Sequence, residues 1–274
     1  MRLKKIIKRM MSSMYYTLQN SAVLGSAQND GFRILLYHSV NLTDSSDRLG
    51  IRMSPEKFLQ QMQYLHEAGY TVGDLADLIQ SVQKGLALAE KTIAITFDDG
   101  YKDVLENALP ILRKFGFSAT VFIAPAYTNG MPLARNCYWE SWPFLSWPDL
   151  KILQKEGLKI GAHSFSHQPL AALTEEQLQR ETKTAKDTIE QALGSEVKLF
   201  SYPHGSVNPT IKETVKSAGY AAACASMAGR NSYQDDIFEL KRTEIEAADS
   251  LFEFKKKLSG SYDWVSYFKA NRGK

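Results

Sequence analysis

The chain has little cysteine. Only Cys137 and Cys224 occur in 274 residues, and no CxxC pair is present. A four-thiolate zinc site is therefore excluded, and one disulfide at most can form. Long apolar runs are also lacking: no stretch approaches the ~20 apolar residues a spanning helix needs. No internal repeat or low-complexity tract is evident. The net charge of +3 is too small to argue for a nucleic-acid partner. What remains is ordinary for a soluble globular enzyme, with 44% hydrophobic and 23% charged residues. A chain of this length fits one large unit, since barrels of alternating strands and helices commonly run to about 250 residues.

Charge is unevenly spread. Arg2, Lys4, Lys5, Lys8 and Arg9 fall at the start, and Ile6, Ile7, Met10, Met11, Met14 and Tyr15 recur among and after them at helical spacing. Three readings stand for residues 1–30: a frayed basic tail, an amphipathic helix on an anionic membrane surface through residues 1–20, and a signal peptide ending near Gly25-Ser26-Ala27. Ser12, Ser13, Thr17, Gln19 and Asn20 interrupt the apolar stretch, which makes a poor signal core. The expected location is cytoplasmic or at the inner membrane, with export as the alternative. Oligomeric state is not legible.

From Gly31 onward, strand-like and helix-like segments alternate. Strands are expected at 32–40, 70–72, 91–97, 119–124, 159–162, 197–202, 220–225 and 240–245. Helices are expected after Ser54-Pro55, over 74–82 and 103–115, after Ser146, over 174–194, after Asn208-Pro209 and from about Ser250. The N-caps Ser54, Ser146 and Thr174 and the stops Gly69, Gly116, Gly157, Gly194 and Gly219 set these bounds. Such alternation implies parallel strands with helical crossovers. The fold expected is α/β, a single distorted (β/α) barrel of seven or eight parallel strands over residues 31–274. A doubly wound open sheet is the alternative.

Polar groups gather where these strands end. His38 ends the first, Asp98-Asp99 end the third, His163 follows the fifth, and Tyr202-Pro203-His204-Gly205 follow the sixth. In parallel barrels those ends form one face, where active sites lie. His163 and His167, four apart, can point the same way on a turn. Two adjacent carboxylates beside a buried strand edge are costly unless a cation shares them. Asp99 with the two imidazoles would make a divalent-metal triad, leaving Asp98 free to accept a proton. Trp139, Trp142, Phe144 and Trp147 crowd the loop after the fourth strand and are expected either to stack on sugar rings or to form the loop's own core.

Thr96-Phe97-Asp98-Asp99-Gly100 with His163-Ser164-x-x-His167 resembles the polysaccharide deacetylases, the NodB-homology group or carbohydrate esterase family 4. The resemblance covers about residues 31–260. It implies a distorted (β/α) barrel, a divalent metal, most simply zinc, and removal of acetyl groups from an N-acetylated glycan. By matching position, Asp98 takes the base role, and Asp99, His163 and His167 the metal-ligand roles. The chain departs from the family twice. The third motif, usually Arg-x-Pro-aromatic-Gly, reads Ser201-Tyr202-Pro203-His204-Gly205 here, and Arg242 is the candidate to supply the missing charge. The backbone N–H of His204 can still serve as an oxyanion donor, and Tyr202, Pro203 and Gly205 around it are the expected sugar contacts, with Trp139 and Trp142. No histidine follows residue 204, where the family usually places its acid. Tyr37-His38-Ser39-Val40 is similar instead to the rearranged branch containing the poly-N-acetylglucosamine deacetylases, which makes His38 the expected acid and His204 the reserve. Competing readings are a sugar O-acetyl esterase, a non-catalytic glycan-binding protein, and a non-haem iron oxygenase, which also uses two histidines and a carboxylate.

Overall fold

The computed structural model describes residues 2–20, 31–42, 47–130 and 142–264. Helix α1 (Arg2–Asn20) precedes the barrel. Strand β1 (Phe32–Tyr37) is followed by β2 (Ser39–Val40), β3 (Arg52–Met53), α2 (Pro55–Glu67), β4 (Thr71–Val72), α3 (Leu75–Gln83) and β5 (Thr92–Phe97). Next come α4 (Leu109–Phe115), β6 (Thr120–Ile123), the short α5 (Pro125–Thr128), α6 (Trp147–Lys155) and β7 (Lys159–Ala162). The last third holds α7 (Glu175–Gln179), α8 (Ala185–Leu193), β8 (Leu199–Ser201), α9 (Pro209–Ser217), β9 (Ala222–Cys224), β10 (Arg230–Asn231), β11 (Arg242–Glu244) and α10 (Leu251–Leu258).

Strands β1 and β5 are buried at every position, as expected of parallel strands covered on both faces. The main sheet runs β1-β5-β6-β7-β8-β9, all parallel, and β11 pairs with the far side of β1. Leu240, just before β11, bridges Cys224 of β9. The Leu240 N–H donates to Ala223 and its carbonyl accepts from Ala225, at 2.9 and 2.8 Å. Seven parallel strands thus form a nearly closed barrel, with the segment 240–244 as the closing piece. The antiparallel β10, which pairs with the start of β1, is an addition the alternating pattern did not announce.

Helix starts follow the capping chemistry. Ser54 accepts from the Lys57 N–H, Ser146 and Thr174 form capping boxes with Asp149 and Gln177, and Asn208 accepts from Ile211. Two expected helices are interrupted. Residues 104–108 form a π-turn, with Leu109 N–H bonded to Val104. Pro110 has no N–H to give Glu106, so the wider turn relieves that clash. The expected 174–194 helix likewise breaks into α7, a π-turn over Arg180–Thr184, and α8.

The expected 32–40 strand divides at His38. Before it the chain pairs with β5 and after it with β3. Asp103 makes the division: its carboxylate accepts from Ser39 Oγ at 2.6 Å and from the Val40 N–H at 3.0 Å. Burial raises the Asp103 pKa, and these two bonds offset that only in part.

Candidate active site

Asp98 and Asp99 end β5, and the chain turns sharply after them. Asp99 has φ 70 and Gly100 φ 75. A Cβ on Gly100 would lie 2.8 Å from the Ile123 side chain, so both space and backbone require glycine there. Among the described residues, the non-glycine positions with positive φ are Asp99, Ser164, His167 and His204. Each such residue costs roughly 1–2 kcal/mol, and all four lie in one site. Strain this concentrated marks a place where geometry outranks stability.

Asp99, His163 and His167 converge. One ligand atom from each lies within 4.8 Å of the others. Asp99 Oδ1 is 3.5 Å from His163 Nε2 and 3.2 Å from His167 Nε2. His163 Nδ1 lies 2.8 Å from the Ser201 carbonyl. A carbonyl only accepts, so Nδ1 carries the proton and Nε2 presents its lone pair to the centre. Burial lowers the His163 pKa to about 4, which keeps the ring neutral. Burial would raise Asp99, but the hydrogen bond and charge of His167 outweigh it and hold the carboxyl well below its usual range. For His167 burial lowers the pKa, but its bond to Asp99 prevails and the net shift is upward. A carboxylate and two imidazoles aimed at one point fit a divalent cation with an open coordination position.

Supports for this triad come from residues the sequence reading did not single out. The Tyr101 ring lies beside Asp99, and burial and then the Asp99 charge raise its pKa. Glu181, on the second π-turn, clamps the loop between the histidines. Its carboxylate accepts from the N–H groups of Phe165 and Ser166 at 3.0 and 2.8 Å and from Ser166 Oγ at 2.5 Å. Ser164 Oγ accepts from the His167 N–H at 2.9 Å. Tyr101 follows the Asp-Asp-Gly turn directly and Asp103 lies four residues past Asp99, so nearness to the motif was the available signal. Glu181 left none.

Asp98 is buried beside the triad, its Oδ2 3.7 Å from His163 Nε2. Arg242 of β11 grips it with both nitrogens, Nη1 to Oδ1 and Nη2 to Oδ2, each at 2.7 Å. Ser201 Oγ donates to Asp98 at 3.1 Å and accepts from Arg242 Nη2 at 2.8 Å. Arg242 Nε donates to the Ala225 carbonyl at 2.9 Å. The serine at the third motif's arginine position thus touches the same carboxylate, while the guanidinium arrives from the closing strand. Burial raises the Asp98 pKa, but the Arg242 guanidinium, by its charge and its hydrogen bonds, outweighs it, and the net shift is downward.

A cavity of about 290 Å³ opens on these groups. His38, Asp98, Asp99, His163, His167 and His204 line it, with Tyr202, Leu49, Ile51 and Glu244 among its other walls. The His204 ring centroid is 4.8 Å from that of His167. Burial, then the charge of His167, lowers the His204 pKa.

Trp142, Pro203 and Gly205 are not among the cavity's lining residues. Trp142 is buried, with the Arg52 guanidinium 4.1 Å above its ring and Tyr101 at 5.4 Å, so it packs the loop instead of lining the cavity. Pro203 and Gly205 shape the turn and are not cavity walls. Gly205 is held there by Ser226, whose Cβ would be 2.5 Å from an added Cβ. Tyr202 does reach the cavity, but its hydroxyl is bonded to the Phe238 carbonyl at 2.8 Å. Trp139, Cys137 and residues 25–27 lie outside the described residues. Cys224 is buried on β9, its thiol pushed up to about 12 by burial.

The sequence model of the polysaccharide deacetylase family matches residues 86–223. The Bacillus subtilis (strain 168) protein YxkH is 26% identical over 212 residues, covering 77% of this chain and 70% of that protein. The peptidoglycan-N-acetylglucosamine deacetylase of Bacillus cereus is 33% identical over 132 residues, 48% of this chain and 54% of that one. This chain spans about half the length of that relative. Among solved structures, the Streptococcus pyogenes deacetylase PplD shares the fold with a TM-score of 0.74 at 21% identity, over 83% of this chain and 98% of PplD.

Proposed function

Because this chain belongs to the polysaccharide deacetylase family, we propose that it is a metal-dependent hydrolase that removes N-acetyl groups from a glycan or glycan precursor and releases acetate. The observation that carries this reading is the Asp98 carboxylate, gripped by Arg242 and Ser201 beside the Asp99–His163–His167 triad and opening on the same cavity. Sugar binding alone has no use for it. When bound at the triad, a divalent cation, zinc by the donor set, polarises a carbonyl and makes water more acidic.

The chain's own groups supply the rest. Asp98 takes a proton from the attacking water. The water oxygen bonds to the acetamide carbon, and the backbone N–H of His204 donates to the carbonyl oxygen as it gains charge. His38 gives a proton to the nitrogen as the carbon–nitrogen bond breaks, since an amine does not depart as an anion. Acetate and a free amino sugar result.

Acetate release from N-acetylated oligosaccharides tests the reading. We expect release that a chelator abolishes and added zinc restores. Equal release with chelator would remove the metal, and release only from O-acetylated sugars would make the protein an esterase. For the acid, His38→Gln is expected to lower kcat by about 10²-fold, within the range for a general acid, with bound metal unchanged. Metal loss in that variant would make His38 a ligand. A larger drop for His204→Gln would transfer the acid role to His204.

A further inference from the structure

Helix α1 is amphipathic, and it docks with the wrong side for a helix that only packs. Its serine face meets the protein. Ser12 is buried, and its Oγ donates to the Ser261 carbonyl at 2.8 Å. Lys256 Nζ donates to Ser13 Oγ at 2.9 Å, Tyr16 meets Phe252 edge to face at 5.7 Å, and Lys8 Nζ lies 5.2 Å from the Tyr262 ring. The apolar arc faces out. Met10 is 68% exposed, Met14 66%, Met11 48% and Tyr15 40%, and Phe252 of α10, beside Tyr16, is 51% exposed. A helix recruited only to complete the barrel would bury these side chains and leave the serines in water.

The outward methionines do not stand in a neutral setting. Arg2, Lys4, Lys5, Lys8 and Arg9 belong to the same helix, with no acidic residue among its nineteen. A second copy of the chain would bring the same positive helix against this one, and like charges oppose that pairing. An anionic bilayer surface offers both a low-dielectric layer for the methionines and counter-charges for the lysines and arginines. No helix among the described residues is long and apolar enough to cross a membrane, so the contact would lie along the surface.

We propose that α1 binds the full chain peripherally to anionic membranes through Met10, Met11, Met14 and Tyr15, while its serine face remains docked on α10. This inference goes beyond the hydrolase reading and does not depend on it.

The test is sedimentation of the full chain with vesicles of phosphatidylcholine alone and of phosphatidylcholine mixed with phosphatidylglycerol. Binding is expected with the mixed vesicles, weakened by salt and much weaker on the neutral ones. Met10→Glu with Met14→Glu, at positions already in water, should lower the bound fraction by about tenfold with unchanged circular dichroism. Met10→Leu with Met14→Leu should bind as the parent does. Absence of binding to the mixed vesicles would overturn the proposal, as would full binding by the glutamate variant. A dimer in light scattering that the glutamate variant dissociates would also overturn it, by assigning the face to a second copy.

Discussion

Asp98→Asn is expected to lose deacetylation by about 10²–10⁴-fold, the range a positioned general base contributes, while keeping its metal. Asp99, His163 and His167 are untouched by the change, and their donor atoms already lie within 4.8 Å of one another. An amide keeps the shape of the carboxylate but offers one acceptor where Arg242 now finds two, so some stability is lost as well. Activity should therefore be read well below the melting transition, beside metal content by elemental analysis. Near-full turnover in a folded, metal-loaded Asp98→Asn protein would show that another group takes the proton.

The second large effect concerns stability. Arg242→Met removes the guanidinium but leaves Asp98 buried, so an uncompensated charge remains inside the barrel. Breaking one side of a buried pair costs roughly 3–5 kcal/mol, a large part of a typical domain's margin. In the parent, the folded pKa of Asp98 is depressed. Its contribution is thus present above the unfolded value, about 3.9, and is lost as pH falls through the lower, folded one. In the variant that carboxyl has lost its main opposing charge and its folded pKa should rise. The stability gap should then narrow as pH falls toward 4, where protonation relieves the stranded charge. Chemical denaturation at pH 7 and pH 4.5 measures both points. Combining Asp98→Asn with Arg242→Met should recover part of the loss, because neither partner is then left charged and alone. A single variant as stable as the parent at both pH values would mean that the pair holds nothing together.

The barrel was legible because its evidence is local. Strands such as Thr92–Phe97 are short apolar runs, and the helices between them begin at Ser-Pro, Asn-Pro and capping-box signatures. The convergence of Asp99, His163 and His167 was legible because they stand where those runs stop. What escaped depends on contacts between distant parts of the chain. Nothing near Glu181 announces that it will hold the Phe165 and Ser166 amides, and nothing near Asp103 that it will end β1 by capturing Ser39 and Val40. The π-turns beside both carboxylates look like plain helix in sequence. Arg242 could be nominated only as a spare cation. That it meets Asp98 follows from how β11 inserts between β9 and β1. For Trp142 two roles stood open, because an aromatic in a loop looks the same whether it awaits a sugar or packs on Arg52.

The arginine that grips Asp98 rides on the last strand to join the ring, two residues beyond the bridge at Leu240. A barrel lacking that strand keeps its triad but leaves Asp98 held by Ser201 alone, 3.7 Å from His163 Nε2, with no guanidinium to hold it off the cation site. Completing the architecture and arming the chemistry are therefore one event, and a partly assembled or C-terminally clipped chain should be inert before it is unfolded.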